Sequence, residues 1–485
     1  MQQNVINKNN IFNSIATLGN FLFPLITFPY VTRVLGIDNI GIYNFSSSVV
    51  SYFSLIATLG ISTYAIRECA KVRENRNEFD SLASEIYSIN VYSTLIAYVF
   101  LFIALYFSYK LKNYTTAILL LSTSFAANTI GTTWVCNAVD DFKYLSVRTI
   151  ILHIVALVGL FLFVKSENDL YIYIGLSVLS NVGANLFNIF YRRRYVDIKF
   201  ICRPNVKRHF KKIILLFSQT VSMLLYTNAD MIMIGYYYND EMVGLYAITV
   251  RIYNIVNSVI SSVITVATPG LSYDYNVRDY DAFNDKITYV ANYILLLFLP
   301  AFVGLNMMAP EIISIVAGSS YIISVTALRI LSISLMFSLI SAVLGFAILF
   351  PMGYDKVNFY SCIISASSNI ILNLYFIPKY GVVGAAFTTA IAELLGFINK
   401  IKYIDKKIKI NNFWRTFAKY FVGSILVLVI CVIFKKIIDK ETMRGIITIL
   451  SSGLVYFTYL LIIRDQFFIN LIKPVLNKLT SYIKK

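Results

Sequence analysis

Long apolar runs recur along the whole chain, and they constrain its fold more than any other feature. A transmembrane helix needs about 20 mostly apolar residues, and fourteen runs of about this length occur between residues 11 and 463. We call them predicted spans 1 to 14. They cover roughly residues 11–32, 40–65, 82–108, 114–137, 146–164, 170–191, 213–236, 242–267, 287–308, 322–349, 358–377, 382–401, 416–434 and 445–463. The sequence therefore predicts an all-α integral membrane protein with about 14 transmembrane helices.

The composition excludes several classes of function. Apolar residues make up 58% of the 485 positions and charged residues 14%, whereas soluble chains have about 45–50% and about 25%. Fourteen spans in this length leave no room for a soluble domain. Two histidines and five widely separated cysteines indicate neither a zinc site nor a disulfide framework. The chain also has no nucleotide-binding P-loop. We therefore expect no catalytic residue, no metal and no cofactor, apart from a proton or sodium gradient.

The basic residues predict the orientation in the membrane. Thirty Lys and Arg fall in one set of alternate loops and tails, and nine fall in the other set. Because Lys and Arg accumulate in cytoplasmic loops, this predicts that both termini are cytoplasmic. The net charge of +17 then requires no nucleic-acid partner. Residues 464–485 mix apolar residues with lysines, which predicts an amphipathic helix on the inner membrane surface.

Short motifs recur about two hundred residues apart and indicate an internal duplication. The motif Arg33–Gly36, with Gly41 and Tyr43 after it, returns as Ile232–Gly235 with Gly244 and Tyr246 after it. Two homologous halves of six spans enter the membrane in the same direction, so a pseudo-two-fold axis along the membrane normal should relate them. The predicted division is residues 1–212 (spans 1–6), 213–415 (spans 7–12), 416–463 (spans 13–14) and the tail 464–485.

Polar residues at helical spacing mark one face of several spans. Such residues are costly in hydrocarbon and usually face protein or water. Candidate substrate contacts from these stripes are Asn20 in span 1, Gln219 and Tyr226 in span 7, and Asn254 and Ser258 in span 8. Small polar residues can instead serve close helix packing, and this alternative stays open for span 2 in particular.

Charged residues inside the spans point to a polar cavity. Arg251 falls near mid-depth of span 8, while Arg329 lies near the outer end of span 10, where it could also reach the membrane surface. The acids Asp230 and Glu393 could bind a coupling cation or pair with these arginines. Arg33 ends span 1 at the outer surface, where it could cap a loop or bind ligand.

Several motifs resemble a known family. The stretch 28–36 (FPYVTRVLG) with Gly41 and Tyr43, the residues Arg67-Glu68, and the segment 140–144 (DDFKY) with Arg148 are similar to the polysaccharide repeat-unit (O-antigen and capsule) flippases. Further matching positions are Leu59–Ile61, Trp134, Asp230, Gly235, Val243–Tyr246, Asn369, Asn373, Ile377-Pro378, Gly381, Gly384–Ala386, Thr389 and Glu393. The sequence departs from the family at 134–138 (WVCNA), where Phe-Gln-Gly is more usual. This resemblance covers most of residues 8–400.

The family belongs to the multidrug/oligosaccharidyl-lipid/polysaccharide exporter superfamily. The resemblance implies two six-helix bundles around a lumen, alternating access, and an undecaprenyl-pyrophosphate-linked oligosaccharide as substrate in a bacterial cytoplasmic membrane. Arg251, Arg329 and Arg33 would then meet the pyrophosphate, and the polar stripes would meet the sugar. Polymerases and glycosyltransferases of the same pathway would be partners, beside membrane lipids.

Other functions remain open at this stage. A multidrug/cation antiporter or a peptidoglycan-precursor flippase of the same superfamily would also show many spans. Against the antiporter, span 1 has no acidic residue before Arg33, and two spans follow the repeat. A membrane glycosyltransferase or polymerase is disfavoured because every external loop has only about 4–13 residues.

Overall fold

The computed structural model describes residues 2–405 and 408–473. Side chains are described within these ranges except at residues 2–18, 20–22, 215–216 and 218–227. Seventeen α-helices run through the described part of the chain. They are α1 (Gln2–Thr58), α2 (Ile61–Val72), α3 (Arg76–Phe107), α4 (Tyr109–Lys112), α5 (Thr115–Gly131), α6 (Thr133–Ala138), α7 (Phe142–Phe163), α8 (Leu170–Val178), α9 (Ala184–Tyr191), α10 (Val206–Tyr237), α11 (Asp240–Asn276), α12 (Tyr280–Met307), α13 (Ala309–Val316), α14 (Val325–Ala342), α15 (Asp355–Ile401), α16 (Phe413–Ile437) and α17 (Glu441–Ile462). The all-α class is confirmed.

The helices agree with the predicted spans but are less evenly divided. Ten helical stretches of the described residues are long and apolar enough to cross a membrane. Helix α1 holds predicted span 1 and most of predicted span 2, and helix α15 holds predicted spans 11 and 12. In each helix the two spans meet at a break, at Gly36 (φ 74°) and at Gly381 (φ 54°). Positive φ of this kind favours glycine, which has no Cβ. Predicted span 4 falls on α5 and α6, and predicted span 7 falls on α10.

Local irregularities occur where a regular helix was predicted. Predicted span 2 ends early, because the chain turns at Leu59 (φ 45°) and Gly60 (φ 69°) before α2 begins. Predicted spans 6 and 10 each contain a π-helical turn, at Leu179–Gly183 and at Val343–Leu349. Such turns release backbone carbonyls from the regular pattern and often occur at functional sites.

Contacts divide the chain into two compact units. Unit 1 comprises Met1–Ala247 with Asn373–Gly381, and unit 2 comprises Ile248–Leu372 with Val382–Lys485. The predicted division at residues 213 and 416 follows the repeat rather than these contacts, and it stays a prediction.

Within unit 1, two repeat-equivalent glycines lie against each other's helices. A Cβ added at Gly41 would lie 1.8 Å from the carbonyl oxygen of Asp240, and one added at Gly244 would lie 2.4 Å from that of Ile37. Glycine therefore lets the second part of α1 and the start of α11 touch through their backbones. Gly41 faces Asp240, four residues before Gly244, and Gly244 faces Ile37, four residues before Gly41. The crossing therefore has local two-fold symmetry, as expected for a duplicated chain.

Extended segments attach to one helix in each unit through side-chain acceptors. In unit 1 these acceptors lie one turn apart on α3 and receive backbone N–H groups from alternate residues. The pairs are Asp197 with Asp80 (2.9 Å), Lys199 with Ser84 (3.0 Å) and Ile201 with Ser88 (2.8 Å). Unit 2 repeats the pattern on α12, with Lys409 on Asn284 (3.1 Å) and Asn411 on Thr288 (3.0 Å). The same attachment in both units supports the internal repeat.

The two last helices are fixed to unit 2 by buried polar groups. Arg444 at the start of α17 makes a 2.8 Å ion pair with the fully buried Glu311 of α13. At the other end of α17, Asp465 pairs with Lys419 of α16 at 3.1 Å. Residues 466–473 are helical, and Phe468 packs into an apolar cluster formed by residues of α12, α16 and α17. The first part of the predicted amphipathic tail thus packs against protein, and residues 474–485 lie outside the described residues.

Candidate functional site

Asp230 occupies a buried position in unit 1, where the chain supplies a donor to each of its carboxylate oxygens. The Tyr246 hydroxyl donates to Oδ2 at 2.6 Å, and Nδ2 of Asn373 donates to Oδ1 at 2.6 Å. A buried carboxylate without such donors would be costly. The sequence had marked Asp230 but had not identified Asn373 and Tyr246 as its partners. Asp230 therefore joins α10, α11 and the middle of α15.

The other predicted site residues of unit 1 are described only in part. Arg33 is exposed in α1, three residues before the break at Gly36, and its Nη1 donates to the carbonyl of Pro29 at 2.6 Å. The side chains of Asn20, Gln219 and Tyr226 lie outside the described residues, so their proposed contacts stay predictions.

In unit 2, Arg251 lies about a third of the way along α11, near two other predicted residues. Arg251, Asn254 and Ser258 are spaced three and four residues apart, which places them on one helix face. Arg251 is eleven residues from the start of α11, or about 16 Å along its axis. Arg251 and Ser258 are partly buried, and Asn254 is exposed. This face offers a guanidinium, an amide and a hydroxyl, which can bind phosphate and sugar groups.

Arg329 is held in place by a neighbouring helix. Its side chain is exposed in α14, and its Nε donates to the carbonyl of Asn306 in α12 at 3.1 Å. The Asn306 amide in turn donates to the Ser332 hydroxyl at 2.7 Å. The guanidinium thus has a defined position while one edge stays accessible.

Glu393 lies in a polar region of unit 2 that the sequence revealed only in part. It is partly buried in α15, within electrostatic range of Tyr253 in α11 and of Lys400 two turns later in α15. Lys400 is buried, and its ammonium donates to the carbonyl (3.1 Å) and hydroxyl (2.8 Å) of Ser341. Lys400 is one of the thirty basic residues that the sequence assigned to the cytoplasmic loops and tails, and that assignment is wrong because it lies buried in α15. Its spacing of seven residues from Glu393 was the available signal.

The predicted site residues divide between the two units. Unit 1 holds Asp230 and Arg33, and unit 2 holds Arg251, Asn254, Ser258, Arg329 and Glu393. Within the described residues no group of three His, Cys, Asp or Glu side chains could hold a metal ion. The described site residues offer guanidinium, carboxylate, amide and hydroxyl groups, which interact through charge and hydrogen bonds.

Two curated relatives share part of their length with this chain. A candidate O-antigen transporter of Escherichia coli (strain K12) is 21% identical over 269 residues, which cover 55% of this chain and 65% of the relative. A candidate low-salt glycan biosynthesis flippase of Haloferax volcanii, Agl15, is 26% identical over 254 residues, which cover 52% of this chain and 54% of the relative. The matched segments thus span about half to two thirds of these relatives' lengths.

A solved structure describes the same fold over nearly the whole chain. The lipid II flippase MurJ, in its inward closed conformation, superposes with a TM-score of 0.75 at 20% identity, covering 94% of this chain and 99% of MurJ. A family model described as "Polysaccharide biosynthesis protein" matches residues 6–273, which is more than half of the chain. The chain therefore belongs to this polysaccharide biosynthesis protein family.

Proposed function

We propose that this protein is a flippase for undecaprenyl-pyrophosphate-linked oligosaccharide repeat units. It would carry them from the cytoplasmic to the outer leaflet by alternating access. The family, the transporter and flippase names of the relatives and the MurJ-like fold support transport rather than catalysis. The protein would act in a bacterial cytoplasmic membrane with both termini inside, in a pathway with a polymerase and glycosyltransferases.

The observation that carries the proposal is the position of Arg251. A guanidinium about 16 Å along an apolar helix is costly in hydrocarbon and indicates a hydrated or ligand-filled surrounding. A pyrophosphate needs cations of this kind, and Arg can bind phosphate oxygens with two parallel hydrogen bonds. Asn254 and Ser258 on the same face would meet sugar hydroxyls, with Arg329 and Arg33 as further cations.

The test is export of surface polysaccharide in a deletion strain that carries variants at equal membrane abundance. Arg251→Ala should abolish export and leave the lipid-linked repeat unit in the inner leaflet. Arg251→Lys should restore part of the export, because the positive charge is kept but the planar guanidinium with its parallel N–H donors is lost. Arg278→Ala, an exposed loop arginine just after α11, is the matched control. Full export by Arg251→Ala would refute a substrate role for this arginine.

We further propose that a proton or sodium gradient drives transport through Asp230 or Glu393. Asp230 is buried and Glu393 is only partly buried, so Glu393 is the better placed of the two acids to exchange with solvent. Transport in vesicles at normal rate after both gradients have been dissipated would eliminate coupling through either acid.

Two related functions are alternatives within the same fold. The MurJ-like fold keeps a peptidoglycan-precursor flippase in view, and rescue of a strain depleted of its own precursor flippase would favour that substrate. A multidrug/cation antiporter is the other alternative, and it would confer drug resistance on whole cells.

A further inference from the structure

A cavity of about 520 Å³ lies on unit 1, and none of the residues proposed to meet the substrate lines it. It is formed by the start of α7, the end of α9 and the 3-10 turn Arg192–Arg194. Two arginines and two tyrosines line it, together with apolar residues of both helices. These polar residues belong to stretches that the proposed transport mechanism does not use.

Arg148 supplies a buried positive charge to this cavity. The side chain is only 8% exposed, and its Nη1 donates to the carbonyl of Ala184 at 2.6 Å. Its Nε has no hydrogen-bond partner, and neither has the buried hydroxyl of Tyr144. Across the described residues no carboxylate lies within 4.0 Å of Arg148. A buried charge needs a counter-charge, and no described carboxylate supplies one at ion-pair distance.

Aromatic stacking fixes the geometry of the cavity. Tyr144 and Tyr191 stack with ring centroids 3.5 Å apart and planes 3° apart. Arg148 lies 5.6 Å from the Tyr144 centroid, and Arg194 lies 4.7 Å from the Tyr191 centroid. Cation–π contacts leave the edges of both guanidinium groups available for hydrogen bonds. The cavity is thus organised before any ligand enters.

The nearby carboxylate of Asp141 is already hydrogen-bonded. Its Oδ2 accepts from the hydroxyls of Tyr191 (2.6 Å) and Tyr195 (2.8 Å), and its Oδ1 accepts from the backbone N–H of Tyr144 (3.2 Å). Burial, and next the hydrogen bond to Asp141, raise the pKa of Tyr195, so this donor keeps its proton. Asp141 therefore organises the tyrosines and leaves the charge of Arg148 available to a ligand.

The surroundings of the cavity match the boundary between lipid headgroups and acyl chains. Ile151, Phe187 and Phe190 are 50%, 58% and 73% exposed, and in a membrane such residues face lipid. Arg148 is six residues into α7, about 9 Å from its start. This end of α7 adjoins the basic loops predicted to be cytoplasmic. The cavity thus places positive charge at headgroup depth beside an apolar surface.

We propose that this cavity binds the phosphate of an anionic phospholipid from the adjacent leaflet. Arg148 and the Tyr144 hydroxyl hold the phosphate, Arg194 adds charge at the rim, and an acyl chain lies along Phe187 and Phe190. Bulk phospholipid is the anion that a side chain at this depth meets at the highest concentration. The proposal does not depend on which substrate is transported, because its test measures only the binding of lipid to this cavity.

The test is native mass spectrometry of the full-length protein in detergent, titrated with phosphatidylglycerol, phosphatidylcholine or a polyprenyl phosphate. Arg148→Gln and Arg194→Gln remove one charge each, and Arg148→Lys keeps the charge. Arg203→Gln, an exposed arginine outside the cavity, is the matched control. Circular dichroism confirms that each variant is folded. If Arg148→Gln does not fold, Arg194→Gln still tests the proposal, because the Arg194 side chain is exposed.

The wild type should retain phosphatidylglycerol in preference to phosphatidylcholine. Arg148→Gln should weaken this binding about tenfold or more, as expected when one hydrogen bond to a charged group is lost. Arg194→Gln should weaken it less, and Arg203→Gln should leave it unchanged. Equal affinity for both phospholipids, or equal weakening in the control, would overturn the proposal. Tighter binding of the polyprenyl phosphate at this site would overturn it too, in favour of a substrate lipid.

Discussion

Gly41 provides the sharpest test of the helix crossing in unit 1. A Cβ at this position would lie 1.8 Å from the Asp240 carbonyl oxygen, 2.5 Å from its carbonyl carbon and 3.0 Å from its Cα. Optimal contacts between such atoms need about 3.5 Å. Because all three neighbours are backbone atoms, no side chain can rotate away. Gly41→Ala must therefore separate α1 from α11 by more than about 1.5 Å at their closest point.

We expect Gly41→Ala to lower the free energy of unfolding by about 3 kcal/mol, at the upper end of the usual cost of overpacking. Reversible unfolding in detergent measures this value. Gly175→Ala is the matched control, since a Cβ there meets nothing within 4 Å. A Gly41→Ala protein as stable as this control would refute the crossing.

The reciprocal contact at Gly244 provides a second test of the same crossing. Gly244→Ala should also destabilise, because its Cβ would lie 2.4 Å from the carbonyl oxygen of Ile37. Either substitution forces apart the same two backbones. The loss of unfolding free energy in the double variant Gly41→Ala/Gly244→Ala should therefore be smaller, by at least about 1 kcal/mol, than the sum of the losses in the two single variants. Strict additivity would show that the glycines act at separate places.

Two further predictions concern buried polar groups, and thermal unfolding in detergent checks both. Tyr246→Phe removes one of the donors to Asp230 and should lower the free energy of unfolding by about 1.5–3 kcal/mol. The control Tyr273→Phe, at an exposed position, should leave it unchanged. Equal melting temperatures of the two variants would contradict this prediction. Arg444→Met should lower the free energy of unfolding by about 3–5 kcal/mol, because it leaves the fully buried Glu311 without its ion-pair partner. The additional change Glu311→Leu should recover most of this loss. Failure of that second change to recover stability would show that the ion pair is not the cause.

The sequence was sufficient to predict the spans because hydrocarbon thickness sets their length. It was less successful at their ends. Spans 1 and 2 meet at Gly36 within one nearly continuous helix, where a loop was expected. Hydropathy does not register a break of a single residue.

The contacts of the candidate site were beyond the reach of periodicity. Asp230 and Asn373 are 143 residues apart in sequence, and helical spacing relates only residues of one helix. The burial of Arg148 and Lys400 was missed for a related reason. Both lie near span ends, where a basic residue usually reaches the membrane surface, yet each instead turns inward to a backbone carbonyl of a neighbouring segment, Ala184 for Arg148 and Ser341 for Lys400.

Lys400 and Glu393 pose the question that bears most on ion coupling. They are seven residues apart on α15, or about 10 Å along the helix axis. At an effective dielectric constant of 20, opposite charges at this distance attract by about 1.5 kcal/mol. Glu393 can therefore serve as the counter-charge of a buried lysine even without a direct ion pair.

A double-mutant cycle decides between that structural role and a coupling role for Glu393. If Glu393 balances Lys400, then Lys400→Met and Glu393→Gln should each destabilise the protein. The double variant should then recover about 1–1.5 kcal/mol relative to the sum, and it should still transport. Unfolding in detergent gives the first result, and polysaccharide export gives the second. If the double variant is stable but cannot export, while Lys400→Met alone can, then the Glu393 carboxylate is needed for transport itself, and the counter-charge explanation is insufficient. If the two changes are additive, the charges do not interact, and Glu393 is available to bind a coupling cation.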